Sequence, residues 1–214
     1  VASKELDAIH AARKHFALKT KVLEAYGGKC ECGVDDLILL TVDHVLDDGH
    51  EHRRQLGKGA TGYGLYRDLV RNGFPDIVQC MCWNCQIRKL RKMLRREDES
   101  TLTRAGRSFR KLKREVMAAY GNVCSICETN DLNVMTLDHT NGGGKAHRRI
   151  STPIAYIHAR RDGFPPEYRL LCANCNAREG FKRLVRKYGD LWPKHRTAAP
   201  VPECGGETAA DSLD

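Results

Sequence analysis

Three observations predict the fold class as small α+β zinc-stapled domains, duplicated in tandem and flanked by helices. Most of the ten cysteines fall in close CxC or CxxC groups beside histidines, aspartates and basic runs. Whole phrases recur at an offset of 90 to 95 residues. The apolar fraction of the 214 residues is 41%, with only 7% aromatic, so small modules need a staple beyond their own core.

In chain order, residues 3–26 read as mostly helical. Leu6, Ile9, Ala12 and Phe16 give an apolar stripe, Ser3 is a candidate cap, and Gly27-Gly28 ends the run. The periodicity leaves open whether this is one helix or two. Leu37 to Val42 is a strand candidate that ends at Asp43-His44. A Gly-rich loop spans Lys58 to Gly64, and Leu65 to Arg71 forms one or two helical turns before Asn72-Gly73. From Gln86 to Arg96 an apolar face of Ile87, Leu90 and Leu94 opposes six Lys and Arg, an amphipathic basic helix. A further helix starts near Ser108, buries Phe109, Leu112 and Val116, and ends near Tyr120-Gly121. Leu132 to Leu137 leads into Asp138-His139 at a strand end. Phe181, Leu184, Val185 and Tyr188 line the inner side of a last basic helix. The predicted organisation is a first module at 1–99, a linker at 100–107, a second module at 108–196 and a disordered tail from 197 to 214.

The repeat sets the architecture. LKTKVLEAYGGKC matches LKREVMAAYGNVC at an offset of 94, LTVDH matches MTLDH at 95, and RNGFPDIVQCMCWNCQ matches RDGFPPEYRLLCANCN at 90. The first copy is one residue shorter at its cysteine knuckle and five longer in its Gly-rich loop.

Cys124 and Cys127 form one CxxC pair, and Cys172 and Cys175 a second. Two such knuckles complete a tetrahedral four-thiolate site for which zinc is the default ion and an iron–sulfur cluster the alternative. A site with four cysteine ligands has no open position and holds structure rather than performing chemistry. The first copy offers Cys30, Cys32, Cys82 and Cys85. Its CxC spacing is awkward for one ion, which leaves Cys80 as an alternative ligand. Two structural Zn²⁺ sites are expected.

Asp138, His139 and Asn176 are framed by the second set of cysteines. An aspartate suits a hard divalent ion such as Mg²⁺, and a histidine suits deprotonation of a water that attacks a phosphodiester.

The order CxxC, Asp-His, CxxCN resembles the HNH or ββα-metal endonucleases, in particular the zinc-stapled kind related to phage recombination endonuclease VII. LCANCNAREG at 171–180 is similar to the ending of many HNH domains, and the likeness covers roughly residues 112–185, and 18–90 more weakly. It implies a tandem duplication of a ββα-metal module, with Asp138 and Asn176 binding a catalytic Mg²⁺ or Mn²⁺ and His139 as general base. It implies a DNA endonuclease, a phosphodiester hydrolase that nicks or acts on branched DNA, of bacteriophage type and cytoplasmic, in the host-cell cytoplasm if phage-encoded. The loop TNGGGKAHRR departs from the family pattern and makes His147, Arg148 and Arg149 candidates for phosphate contact or for a second metal or acid role. His158, in an inserted helical segment, reads as structural or surface. In the first copy Asp43, His44 and His52 persist but Gln86 stands where Asn176 stands, so that copy is expected to be impaired.

Net charge is +9, although the last twelve residues carry four acids and no base. This balance suits a polyanion, and DNA is the expected partner. Phosphate-contact candidates are Arg53, Arg54, Arg88, Arg91, Lys92 and Arg95 in the first copy, and Arg148, Arg149, Lys182, Arg183 and Arg186 in the second. No apolar stretch suits a membrane span or a signal segment, so a soluble intracellular protein is expected. A monomer with internal pseudo-symmetry and a dimer both fit the duplication. The alternative to the nuclease is a non-catalytic zinc protein that binds nucleic acid or supports a nucleoprotein or viral assembly. A transcription-associated zinc module would explain the cysteines and charge but not the Asp-His and Asn set.

Overall fold

Ser3–Ala25 forms one continuous helix, α1, because no proline or glycine interrupts it. It stops where Gly27 and Gly28 take φ of +88° and +60°, a left-handed exit that glycine adopts without strain. The computed structural model describes residues 3–57, 62–94, 103–141 and 154–189. After α1 come β1 (Leu40–His44), α2 (Gly49–Leu56), α3 (Tyr63–Arg71), β2 (Val78–Cys82) and α4 (Trp83–Leu94). The second copy follows as α5 (Arg104–Ala119), β3 (Met135–His139), α6 (Ile154–Arg161), β4 (Tyr168–Cys172) and α7 (Ala173–Tyr188).

Each copy is an antiparallel two-stranded sheet with helices before, between and after its strands. In β1–β2, Leu40 faces Cys82 and His44 faces Val78; in β3–β4, Met135 faces Cys172 and His139 faces Tyr168. An isolated hairpin of this size is marginal in water, so helices and metal must supply the remaining stability. The small α+β, tandem, zinc-stapled description therefore holds.

Repeated phrases have repeated structural jobs. Tyr26 and Tyr120, at the ends of α1 and α5, each donate their hydroxyl at 2.8 Å to the carbonyl of Pro75 and Pro165 respectively. Each ring also packs edge-on against a phenylalanine, Phe74 or Phe164. Those phenylalanines sit at φ of +60° and +59°, directly after Gly73 and Gly163 at +69° and +71°. Two successive left-handed residues reverse the chain and present the proline carbonyl to the tyrosine, which accounts for the phrase GFP being repeated in both copies.

The chain divides into two compact units. Among the described residues, one holds those of 3–83 and 177–189, and the other those of 84–176. The first buries Val22 and Leu23 of α1, Leu39, Leu40 and Leu69. The second packs Leu112 and Val116 of α5 against Tyr156 and Ala159 of α6 and Tyr168 of β4.

Residues 3–25, which the periodicity left open, are one helix. Three local expectations change. Helix α5 begins at Arg104 behind a Thr103 cap rather than near Ser108. The strand begins at Leu40, since Ile38 and Leu39 lie in a turn where Asp36 accepts from the Ile38 amide at 3.0 Å. Gly49–Leu56 is a helix that its polar sequence GHEHRRQL did not signal. Residues 100–102 of the expected linker, Lys58 to Thr61 of the Gly-rich loop and the tail from 197 lie outside the described residues.

Candidate metal centres

Both four-cysteine clusters assemble. The sulfurs of Cys30, Cys32, Cys82 and Cys85 lie within 4.8 Å of one another, as do those of Cys124, Cys127, Cys172 and Cys175. Cys32 and Cys82 are 3.6 Å apart, and Cys127 and Cys172 are 3.7 Å apart. A tetrahedron with Zn–S bonds of about 2.3 Å has an edge of about 3.8 Å. These separations fit a shared ion and are far too long for disulfides. The donor set, four soft thiolates with no open position, suits structural Zn²⁺.

The CxC spacing works because of its turn. Gly33 takes φ of +95° and donates to the Cys30 carbonyl at 2.8 Å, while the Cys30 amide reaches Val34. The chain doubles back quickly enough for Cys30 and Cys32 to face one point. In the second copy Glu128, at φ +59°, takes the place of Gly33, and its amide bonds the Cys124 carbonyl at 3.0 Å. Cys80 is no ligand: its buried thiol donates to the Leu23 carbonyl at 3.3 Å, and desolvation raises its pKa.

Backbone geometry prepares the thiolates. The Cys172 amide points at Cys124 Sγ at 3.3 Å, and the Cys175 amide at Cys172 Sγ at 3.4 Å. Hydrogen bonds from the Cys172 and Cys175 thiols hold the Cys124 pKa far below the ordinary thiol value. Cys172, which supplies one of those protons, is pushed up to about 12, and Cys175 is raised as well. Four crowded thiols thus share their protons unevenly, a conflict that a divalent cation relieves by stabilising all four thiolates.

The nuclease expectation is corrected here. Among the described residues, the groups able to hold a metal are these two cysteine sets, and neither includes a histidine or carboxylate. Asp138, expected as the ion-binding acid, is buried and bonded by the Arg169 guanidinium at 3.2 Å. Asn176 donates its amide to Thr136 Oγ1 at 3.0 Å. The His139 ring lies against Tyr168, centroids 4.7 Å apart. The three side chains are engaged in holding the hairpin, and no mixed His/Asp metal geometry forms from them. His147, Arg148 and Arg149 lie outside the described residues. The Mg²⁺ or Mn²⁺ site therefore has no supporting geometry, and the assignments as endonuclease, hydrolase and HNH enzyme fall with it.

The first copy gives the same answer by another route. His44 Nε2 is 2.8 Å from His52 Nδ1, and His52 Nε2 is 3.1 Å from Asp68. Burial, and then the neighbouring His52, lower the His44 pKa. Gly49 is required beside this chain, since a Cβ there would lie 2.7 Å from His44 Nδ1. The histidines join α2 and α3 to the end of β1. Asp43 stands opposite Gln79 in the ladder and Gln86 lies in the first turn of α4, so neither forms a metal group with His44. No sequence signal linked Asp68 to this chain.

The basic candidates fall on several elements. Arg53 and Arg54 are exposed on α2, with Arg54 paired to Glu51. Arg88 on α4 is taken up by Asp131 at 2.6 Å. Arg91 and Lys92 also lie on α4, but their side chains, and Arg95 entirely, are outside the described residues. On α7, Lys182 and Arg186 are exposed, Arg183 is half-buried, and Lys182 pairs with Glu179 at 2.7 Å. His158 is half-buried on α6.

Among the described residues no helix is long and apolar enough to cross a membrane. No protein-family model, curated protein or solved structure matches the chain.

Proposed function

We propose that this chain is a non-catalytic, zinc-stapled nucleic-acid-binding protein that serves as a structural component of a nucleoprotein assembly. One observation carries the reading: both metal centres are closed four-cysteine sites, while exposed cations lie on the helices α2 and α7. Closed thiolate sites stabilise a small fold and leave function to its surface. A chain of net charge +9 then favours a polyanion. The arrangement of CxxC, Asp-His and CxxCN still resembles the HNH framework, and on this reading that framework is kept for binding alone. Arg53, Lys182 and Arg186 are the proposed phosphate contacts, with DNA as the first polymer to try.

The test is fluorescence anisotropy with a labelled DNA duplex and the zinc-loaded chain. Affinity is expected to fall roughly tenfold to a hundredfold between about 50 and 200 mM salt. Charge reversal by Lys182→Glu with Arg186→Glu is expected to weaken binding further and flatten the salt slope. Absence of binding at low salt, or binding indifferent to that double variant, overturns the reading.

A further inference from the structure

An open pocket of about 420 Å³ is lined by residues of α1 and α7 together with Ile38 and Trp83, all within one unit. Its wall includes the rings of Phe16, Trp83 and Phe181, with His15, Lys19 and Gly180 among the remaining lining residues. The size falls within the range of about 300–1,000 Å³ usual for small-molecule sites. Neither the zinc centres nor the proposed phosphate contacts use this space.

Two features set it apart from a packing defect. Gly180 sits inside helix α7, where glycine is less favourable than alanine. No left-handed φ requires it, and a Cβ built there meets nothing within 4 Å. Neither conformation nor close packing therefore explains the glycine; its consequence is to leave the space beside Phe181 open. The second feature is Lys19, a half-buried cation on a largely apolar wall. Desolvation lowers its pKa to about 8, with the Asp36 carboxylate holding it up against that fall. Asp36 also pairs with Arg178 at 2.9 Å, so its carboxylate is shared between two cations. His15 is the other titratable group on the wall, and burial and Lys19 lower its pKa. At neutral pH the site thus offers one cation beside an aromatic interior.

We infer that this cavity binds a small amphipathic organic anion, its apolar body among Phe16, Trp83 and Phe181 and its carboxylate or sulfonate at Lys19. An apolar wall with a single ammonium selects for an apolar tail with one acidic head. A nucleobase, whose polar edge needs several hydrogen-bond partners, fits this wall less well. The inference is independent of the nucleic-acid reading.

The experiment uses the zinc-loaded full chain and anilinonaphthalene sulfonate, a fluorescent amphipathic anion. One saturable site per chain is expected, with decanoate displacing the dye and decyltrimethylammonium failing to do so. Gly180→Leu should place a side chain in the cavity and weaken dye binding by about tenfold or more, with no fall in melting temperature. Gly180→Ala, which adds one carbon, is expected to weaken it less and serves as the check if the leucine variant melts early. Lys19→Met should weaken decanoate several-fold while leaving displacement by neutral decanol unchanged. Unsaturable binding, wild-type affinity in both Gly180 variants, or equal displacement by the cationic detergent overturns the inference. So does displacement by single-stranded DNA whose own affinity falls in Gly180→Leu, since the occupant would then be a nucleobase.

Discussion

Asn84 and Asn174 cap each other's helices: the Asn84 amide donates to Asn174 Oδ1 at 3.1 Å, and the Asn174 amide donates to Asn84 Oδ1 at 3.0 Å. Each is the second residue of a helix that begins between the two cysteines of a second knuckle, where backbone N–H groups have no partner within the helix. Both side chains are buried, Asn174 completely. Replacing either by Ala removes the acceptor from a buried amide and should cost about 1–3 kcal/mol. Each single change removes one of the two bonds and leaves the other, since the backbone donor survives, so the double variant should cost about the sum of the two. Urea denaturation of the three variants measures this, and a double variant no worse than either single one would contradict the reciprocal cap.

The same Asn84 carboxamide also bonds the Cys172 sulfur and favours its thiolate. Asn84→Asp keeps an acceptor but sets a negative charge beside four thiolates. Zinc retention at the second cluster should weaken by about 10–100-fold in competition with a chromogenic chelator. Unchanged retention would show that Asn84 serves only as a cap.

Two zinc ions per chain are expected, one for each cysteine set. Cys175→Ala should reduce the count to one by elemental analysis, and Cys32→Ala likewise. Cys80→Ala should leave two, because that thiol bonds a carbonyl. Chelation of the wild type should unfold it, since hairpins this small lean on metal for their stability. Zinc loss in Cys80→Ala with retention in Cys32→Ala would reverse the ligand assignment.

Arg88 and Asp131 join α4 to the turn before β3 at 2.6 Å. Burial alone would raise the Asp131 pKa, but the Arg88 guanidinium and the Asn133 amide bring it below the ordinary carboxylate value. A depressed folded-state pKa contributes stability that is present above the unfolded value and lost as pH falls through the folded one. Asp131→Asn should therefore cost about 1 kcal/mol at neutral pH, and the deficit should fade below pH 4 or so. The variant keeps Arg88, which also bonds Cys85 Sγ at 3.8 Å. A deficit independent of pH would mean that shape, not charge, matters there.

Lys19 makes the opposite prediction. Its folded-state pKa of about 8 lies below the unfolded value of 10.5, so the cost of burying its charge is present in full below pH 8. That cost lifts as pH rises from 8 towards 10.5. Lys19→Met should stabilise the fold at neutral pH by about 1–2 kcal/mol, with the gain shrinking at alkaline pH. Thermal melts across that range test it, and a loss of stability at pH 7 would contradict it. His15, Asp36 and Arg178 are the charged or titratable neighbours whose fields bear on this group.

Much of the fold was legible because it rests on local rules. Gly27-Gly28 marked a helix end, and the strands ended at Asp-His as their apolar runs suggested. The Cys124, Cys127, Cys172 and Cys175 ligand set followed from knuckle spacing. The first set was less legible, because CxC spacing looks unfavourable until the positive φ of Gly33 is known. Helix α2 was missed because a polar octapeptide has no apolar period; the His44–His52–Asp68 chain holds it. The Asp-His/Asn constellation misled for a different reason. Residue types capable of chemistry were present, but their hydrogen-bond partners were not visible in the sequence. Arg169, Thr136 and Tyr168 engage Asp138, Asn176 and His139 within the hairpin.

What the sequence determined by itself was the duplication, the cysteine pairs and the positive charge, because repeat offsets, knuckle spacing and composition are properties of the chain order. What only the tertiary structure decided was the use of each side chain. The exchange of Asn84 and Asn174 joins residues 90 positions apart, the Asp138 carboxylate meets Arg169 across a strand pair, and Lys19, Trp83 and Gly180 line one cavity from distant segments. Such contacts depend on which surfaces are buried together, and burial sets whether a carboxylate, an amide or an ammonium faces a partner, a ligand or water.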